Sequence, residues 1–195
     1  MIKLKAIPNI LTISRILACP IWFMFVFYDY HIIAFSLILF AVFTDYLDGF
    51  LARKLDSLTS TGKILDPIAD KIFMTTVLVT FVADYRASSA LVIILISREI
   101  VISGLREILS EKGKSSILNV SFLSKIKTAC QFISIVLLSL IPIFKEHAKG
   151  IEYVGSLFLL LSTILAIYTG YKYVILTIEN KSLWVKIRMS KLDEY

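Results

Sequence analysis

TDYLDGFLARKLDSLTSTGKILDPIADK, residues 44–71, places five carboxylates, four of them in two close pairs, in a chain that is otherwise apolar on either side. Asp45 and Asp48 stand three apart at the end of one apolar run, and Asp66 and Asp70 stand four apart at the start of the next. On a helix, either spacing puts the paired side chains on one face. Two helices joined as a hairpin therefore can aim four carboxylates into one cleft. Anionic groups so close repel strongly in a low-dielectric site, so they coexist only with shared protons or bound cations. Hard oxygen donors in this number suit one or two Mg2+ or Mn2+ ions. Gly49 and Ala52 fall on the carboxylate face of the first helix, leaving room for a flat group such as a nucleotide base against the backbone. Arg53 offers a planar fork for phosphate oxygens, and Gly62 clears space one turn before Asp66. A single Asp pair near a helix end is ordinarily solvated surface or a cap, but two pairs flanking one short connection call for another explanation.

The rest of the chain fixes the class. Hydrophobic residues make up 57% of it and the mean hydropathy is +0.81, outside the range of ordinary soluble domains. An all-α polytopic membrane protein is expected, a single domain over residues 1–195 with room for about six transmembrane helices of ~20 residues each. The net charge of +6 does not point to nucleic acid, because the basic residues sit at the ends of apolar runs rather than among exposed aromatics. That distribution matches membrane topology and anionic lipid headgroups. Cys19 and Cys130 both lie within apolar runs and are expected as buried free thiols. Lys3 and Lys5 precede an apolar stretch with no small-residue cleavage pattern, so the amino terminus reads as a retained first span.

Taken in order, the predicted spans cover about 7–28, 32–55, 62–83, 90–109, 123–143 and 151–176. In the first, Asn9, Thr12 and Arg15 recur at spacing three as a polar stripe, either a headgroup-level helix start or the wall of a polar cavity. The Ser/Thr-rich connection after Leu55 suits a helix-capping loop in which Thr59 can donate to a phosphate. Arg98, Glu99, Arg106 and Glu107 interrupt the fourth span, with Arg98 and Arg106 on one side of the helix. They read either as a structural salt bridge or as an anion pocket. Lys125 and Lys127 open the fifth span, as interface anchors or as further anion ligands. A basic tail containing Trp184 follows the sixth and is expected along the membrane surface.

The pattern Asp45-x-x-Asp48-Gly49-x-x-Ala52-Arg53, eight residues, then Gly62-x-x-x-Asp66-x-x-x-Asp70 resembles the signature of the CDP-alcohol phosphatidyltransferases, with every defined position matched. PNILTISRI, SREIVISGLRE and SKIKTACQ resemble segments of the phosphatidylglycerophosphate synthase branch of that family. The resemblance implies transfer of a phosphatidyl group from CDP-diacylglycerol to sn-glycerol 3-phosphate, releasing CMP, with divalent metal held by Asp45, Asp48, Asp66 and Asp70. It implies Asp70 as general base and a donor site at Asn9, Thr12, Arg15, Gly49, Ala52, Arg53 and Thr59. Arg98, Arg106, Lys125 and Lys127 would take the acceptor phosphate. Dimers are common among such proteins, so a homodimer is in keeping with it. Another acceptor (inositol phosphate, inositol or serine) is the alternative within the family. An ion-coupled carrier is the alternative outside it, although the chain lacks two related halves with broken helices.

Lys and Arg counts set the expected orientation. With the amino terminus in the cytoplasm, that side collects Lys3, Lys5, Arg53, Lys54, Lys63, Arg106, Lys112, Lys114 and the tail cations, against Arg86, Lys145 and Lys149 opposite. The motif then opens to the cytoplasm from the bacterial plasma membrane.

Overall fold

The structure, a computed structural model, describes the backbone of residues 7–55, 60–111 and 122–192, with side chains over 13–44, 68–69, 71–107, 109 and 122–178. Among the described residues the regular structure is all helix, joined by short turns. The order is α1 (Ile7–Phe27), α2 (His31–Leu55), α3 (Ser60–Ala83), α4 (Ser89–Glu111), α5 (Phe122–Leu140), a 3-10 turn (Lys145–His147) and α6 (Ala148–Leu192). Among the described residues six α-helices lie where the six spans are expected. The sixth differs from expectation: it runs unbroken through Leu192 instead of ending near Leu176 ahead of a separate tail. Residues 177–192 contain neither Gly nor Pro, so nothing in the backbone chemistry stops the helix there.

Two helical stretches, Phe122–Leu140 and Lys145–Ile178, are long and apolar enough to cross a membrane by length and composition, and Ile13–Phe27, His31–Thr44 and Lys71–Ala83 are shorter apolar helices among the described residues. Large apolar side chains such as Leu17, Phe27, Ile32, Phe43, Ile93 and Ile100 point outward, the pattern of a bundle solvated by hydrocarbon. Inside, α1 packs on both α2 and α3, α3 on α4, α4 on α6, α6 on α5, and α5 on α2, which closes a ring; α3 and α5 also meet across it.

Local chemistry explains how the ring closes at one end. At the close of α1, the Tyr30 N–H donates to Phe25 O at 2.8 Å and the Asp29 N–H to Val26 O at 3.1 Å, the paired bonds of a Schellman cap. The close of α3 repeats it, with Arg86 N–H to Phe81 O at 2.8 Å and Tyr85 N–H to Val82 O at 3.1 Å. Asp29 and Tyr85 adopt φ of 60° and 58° to make these turns. Between the two caps Trp22, 1% exposed, donates its indole N–H to Ala34 O at 3.0 Å and meets Phe81 edge-on, joining α1, α2 and α3.

Polar and small residues hold α5 to α6, as is usual where apolar burial alone does not drive helices together in lipid. Ser134 donates to Gly155 O at 2.8 Å and Ser162 to Lys127 O at 3.1 Å. A Cβ on Gly155 would stand 2.9 Å from Leu138 Cδ2, so a side chain there would force Leu138 to shift. Cys19 is buried and Cys130 half-buried, and both are free thiols.

Candidate active site

Away from the capped end, five helices surround a cavity of about 290 Å³. Its charged walls come from different helices: Arg15 from α1, Lys71 from α3, Glu99 from α4 and Lys127 from α5. Three cations against one carboxylate leave two positive charges in excess among the described lining residues. Arg15 and Lys127 are 4% and 5% exposed, a depth at which charge persists only with partners.

Glu99 is the partner of Lys127. The Lys127 ammonium donates to Glu99 Oε1, and the Arg98 Nη1 donates to the same oxygen at 3.1 Å. Arg98 is fixed from behind by α6: its Nε donates to Ala166 O at 3.3 Å and its Nη2 to Thr169 Oγ1 at 2.9 Å. The Tyr173 ring lies between two arginines, 5.9 Å from the Arg98 guanidinium carbon and 5.8 Å from that of Arg106, within cation–π range. Its hydroxyl sits 3.1 Å from Ser124 Oγ on α5.

Of the residues singled out in the sequence, Lys127 and Arg15 line the cavity, whereas Arg98 meets it through Glu99. Arg106 and Lys125 are exposed and lie outside the lining. Of the two readings set out for the Arg98 region, the ion pair is present: Arg98, Glu99 and Lys127 are joined at the wall of the cavity. Asp45, Asp48, Gly49, Ala52 and Arg53 belong to α2, and Gly62, Asp66 and Asp70 to α3, while Asn9 and Thr12 belong to α1. The side chains of all ten lie outside the described residues, as does Thr59. α3 enters the cavity wall at Lys71, directly after Asp70.

The sequence does not mark Glu99 or Tyr173 as substrate ligands, and Gln131 figures in it only as the last residue of the SKIKTACQ segment. One signal was present for Gln131: it is four residues after Lys127, on the same helical face, and both are buried. Tyr173 offered none, being one aromatic in an aromatic-rich helix.

Among the described residues no three His, Cys, Asp or Glu side chains converge as a metal site. The donor chemistry of the motif fits a divalent ion nonetheless: α2 and α3 are helical through both Asp pairs, so each pair shares a face, and four carboxylates are the hard donors that Mg2+ or Mn2+ takes.

A helical bundle with a basic cavity beside a helix carrying Asp66-x-x-x-Asp70 is the frame that the motif requires. The family model for CDP-alcohol phosphatidyltransferase matches residues 5–171. The chain belongs to that family. Members of it use divalent metal ions and are membrane proteins. As a CDP-alcohol phosphatidyltransferase it is similar along nearly its whole length to proteins named CDP-diacylglycerol--glycerol-3-phosphate 3-phosphatidyltransferase. One from Wigglesworthia glossinidia brevipalpis is 40% identical over 176 residues, 86% of this chain and 92% of the relative. One from Rickettsia felis is 36% identical, covering 87% and 93%, and one from Pectobacterium atrosepticum is 34% identical, covering 86% and 92%.

Proposed function

We propose that the protein transfers a phosphatidyl group from CDP-diacylglycerol to sn-glycerol 3-phosphate, giving phosphatidylglycerophosphate and CMP, with the site open to the cytoplasmic face of the plasma membrane. The observation that carries this reading is the buried Lys127, lining one cavity with Lys71 on α3 directly after Asp70. A phosphate monoester carries close to two negative charges at neutral pH, which Lys127 and Lys71 would help to offset. Serine or free inositol offers no such charge. The relatives named for this reaction support the same acceptor.

In this reading Asp45, Asp48, Asp66 and Asp70 hold one or two Mg2+ or Mn2+ ions. When bound, such an ion offsets charge on the donor diphosphate and on the departing CMP. Arg53, Thr59 and the stripe Asn9, Thr12 and Arg15 orient the donor's phosphates and ribose, and Gly49 and Ala52 leave space for the cytosine. Asp70 accepts the proton of the acceptor hydroxyl as its oxygen attacks the β-phosphorus; the bond from that phosphorus to the CMP oxygen breaks and CMP leaves. Lys127 binds the acceptor phosphate, and Arg98, Arg106 and Lys125 extend the basic strip along α4 and α5 towards the motif end.

Purified protein supplied with CDP-diacylglycerol and glycerol 3-phosphate, inositol phosphate, inositol or serine in turn tests it. CMP release with glycerol 3-phosphate alone is the expected result. Release with a different acceptor only would overturn the assignment.

A further inference from the structure

Glu99 stands at the junction of two cations that play different parts. Arg98 has five N–H donors, and three are engaged: by Ala166 O, by Thr169 Oγ1 and by Glu99 Oε1. Three of its contacts, counting the Tyr173 ring, are to α6, so its position is set mainly by that helix. Lys127 is the opposite case. Its flexible four-carbon stem carries an ammonium into the cavity wall, and the described partner of that ammonium is the same Glu99 oxygen.

We propose that Glu99 is a positioning residue for the acceptor site, fastening the mobile cation Lys127 to the fixed cation Arg98 so that the ammonium meets the acceptor phosphate in one place. This rests on the acceptor being a phosphate monoester, as proposed above. The physics is direct. Two cations that touch one carboxylate oxygen are close enough to repel strongly at this depth, and the carboxylate is what makes their approach favourable. With a neutral side chain at 99, the ammonium moves away from Arg98 along its stem, and the phosphate loses an ordered charge-assisted donor. Arg98 then contributes to acceptor binding through Glu99, which explains how a residue outside the cavity lining still matters to it. The donor KM is expected to move little, because neither Arg98 nor Glu99 is one of the donor residues named above, of which Arg15 alone is described in the same cavity wall.

The test is steady-state kinetics of the full-length protein in phosphatidylglycerol-free vesicles, varying each substrate separately. Glu99→Gln keeps the shape and removes the charge; it is expected to raise the KM for glycerol 3-phosphate about tenfold or more, with the KM for CDP-diacylglycerol essentially unmoved. Glu99→Asp keeps the charge one methylene short, and its acceptor KM is expected between wild type and Glu99→Gln. An unchanged acceptor KM in Glu99→Gln overturns the inference, as does an equal rise in both KM values, which marks a purely structural ion pair. Should Glu99→Gln fail to fold, the Asp variant decides: an acceptor KM equal to wild type overturns the inference. Wild-type protein that releases CMP only with a non-phosphorylated acceptor overturns the proposed reaction instead, whatever the variants do.

Discussion

Gly170 on α6 lies against the side chain of Arg98 on α4, so close that a Cβ at residue 170 would stand 3.3 Å from Arg98 Cγ and 3.7 Å from its Nε. The absence of a side chain there lets Arg98 cross the face of α6 and reach Ala166 O and Thr169. Gly170→Ala raises helix propensity by roughly 1 kcal/mol, so the fold itself should not suffer. Its expected effect is local: a push on Arg98 of roughly 0.5–1.5 kcal/mol of rotamer strain, seen as about a two- to tenfold rise in acceptor KM. Gly170→Leu should do more, since no small shift accommodates it. Wild-type acceptor kinetics in Gly170→Leu would show that Arg98 does not depend on this approach.

How far the sequence reveals this molecule depends on the range of the interaction. The helices are legible because each is an apolar run closed by polar residues, and the ends of α2 at Leu55 and α3 at Ala83 fall where the pattern stops. The Asp motif is legible because its spacing is local. The turns after α1 and α3 were expected, but not their form, because Asp29 and Tyr85 take a left-handed conformation for which glycine is the usual signal. The cavity's ion pair joins residues 28 apart, and the Arg98–Thr169 bond spans 71. No periodicity encodes such pairings. Arg98 read correctly as a charge in need of a partner, and the partner helix could come only from the fold.

The proposed metal centre is tested by the carboxylates assigned to it. Removing one ligand from a site with few donors should cripple ion binding, so Asp48→Ala and Asp66→Ala are each expected to lose nearly all CMP release while the protein still inserts and folds. Chelation of the wild type should have the same effect, reversed by added Mg2+ or Mn2+. Normal turnover by either variant, or by chelated protein, would rule out a shared metal site at these residues.

Asp70 separates binding from chemistry. Replacing it with Asn retains the size and one oxygen acceptor but takes away the group proposed to receive the acceptor's proton. CDP-diacylglycerol binding should survive, measured by protection of the protein against thermal unfolding, while turnover drops by a factor of about 10²–10⁴. Turnover at the wild-type rate would move the general base to another residue.

Trp22 gives the converse case, stability without chemistry. It sits at the capped end of the bundle, 1% exposed, donating to Ala34 O at 3.0 Å and packed edge-on against Phe81 at a centroid distance of 6.2 Å. None of the residues lining the basic cavity is among these partners. Trp22→Phe keeps an aromatic ring but loses one hydrogen bond and leaves a void, together about 1–3 kcal/mol. For a chain of this size that lowers the melting temperature by roughly 2–4 °C per kcal/mol. The kcat with saturating substrates should stay at the wild-type value, because the cap ties the ends of α1 and α3 to the start of α2 and not the helix segments that carry the motif. A Trp22→Phe protein with unchanged melting but reduced kcat would show the reverse coupling, with the packed end governing the geometry of the site.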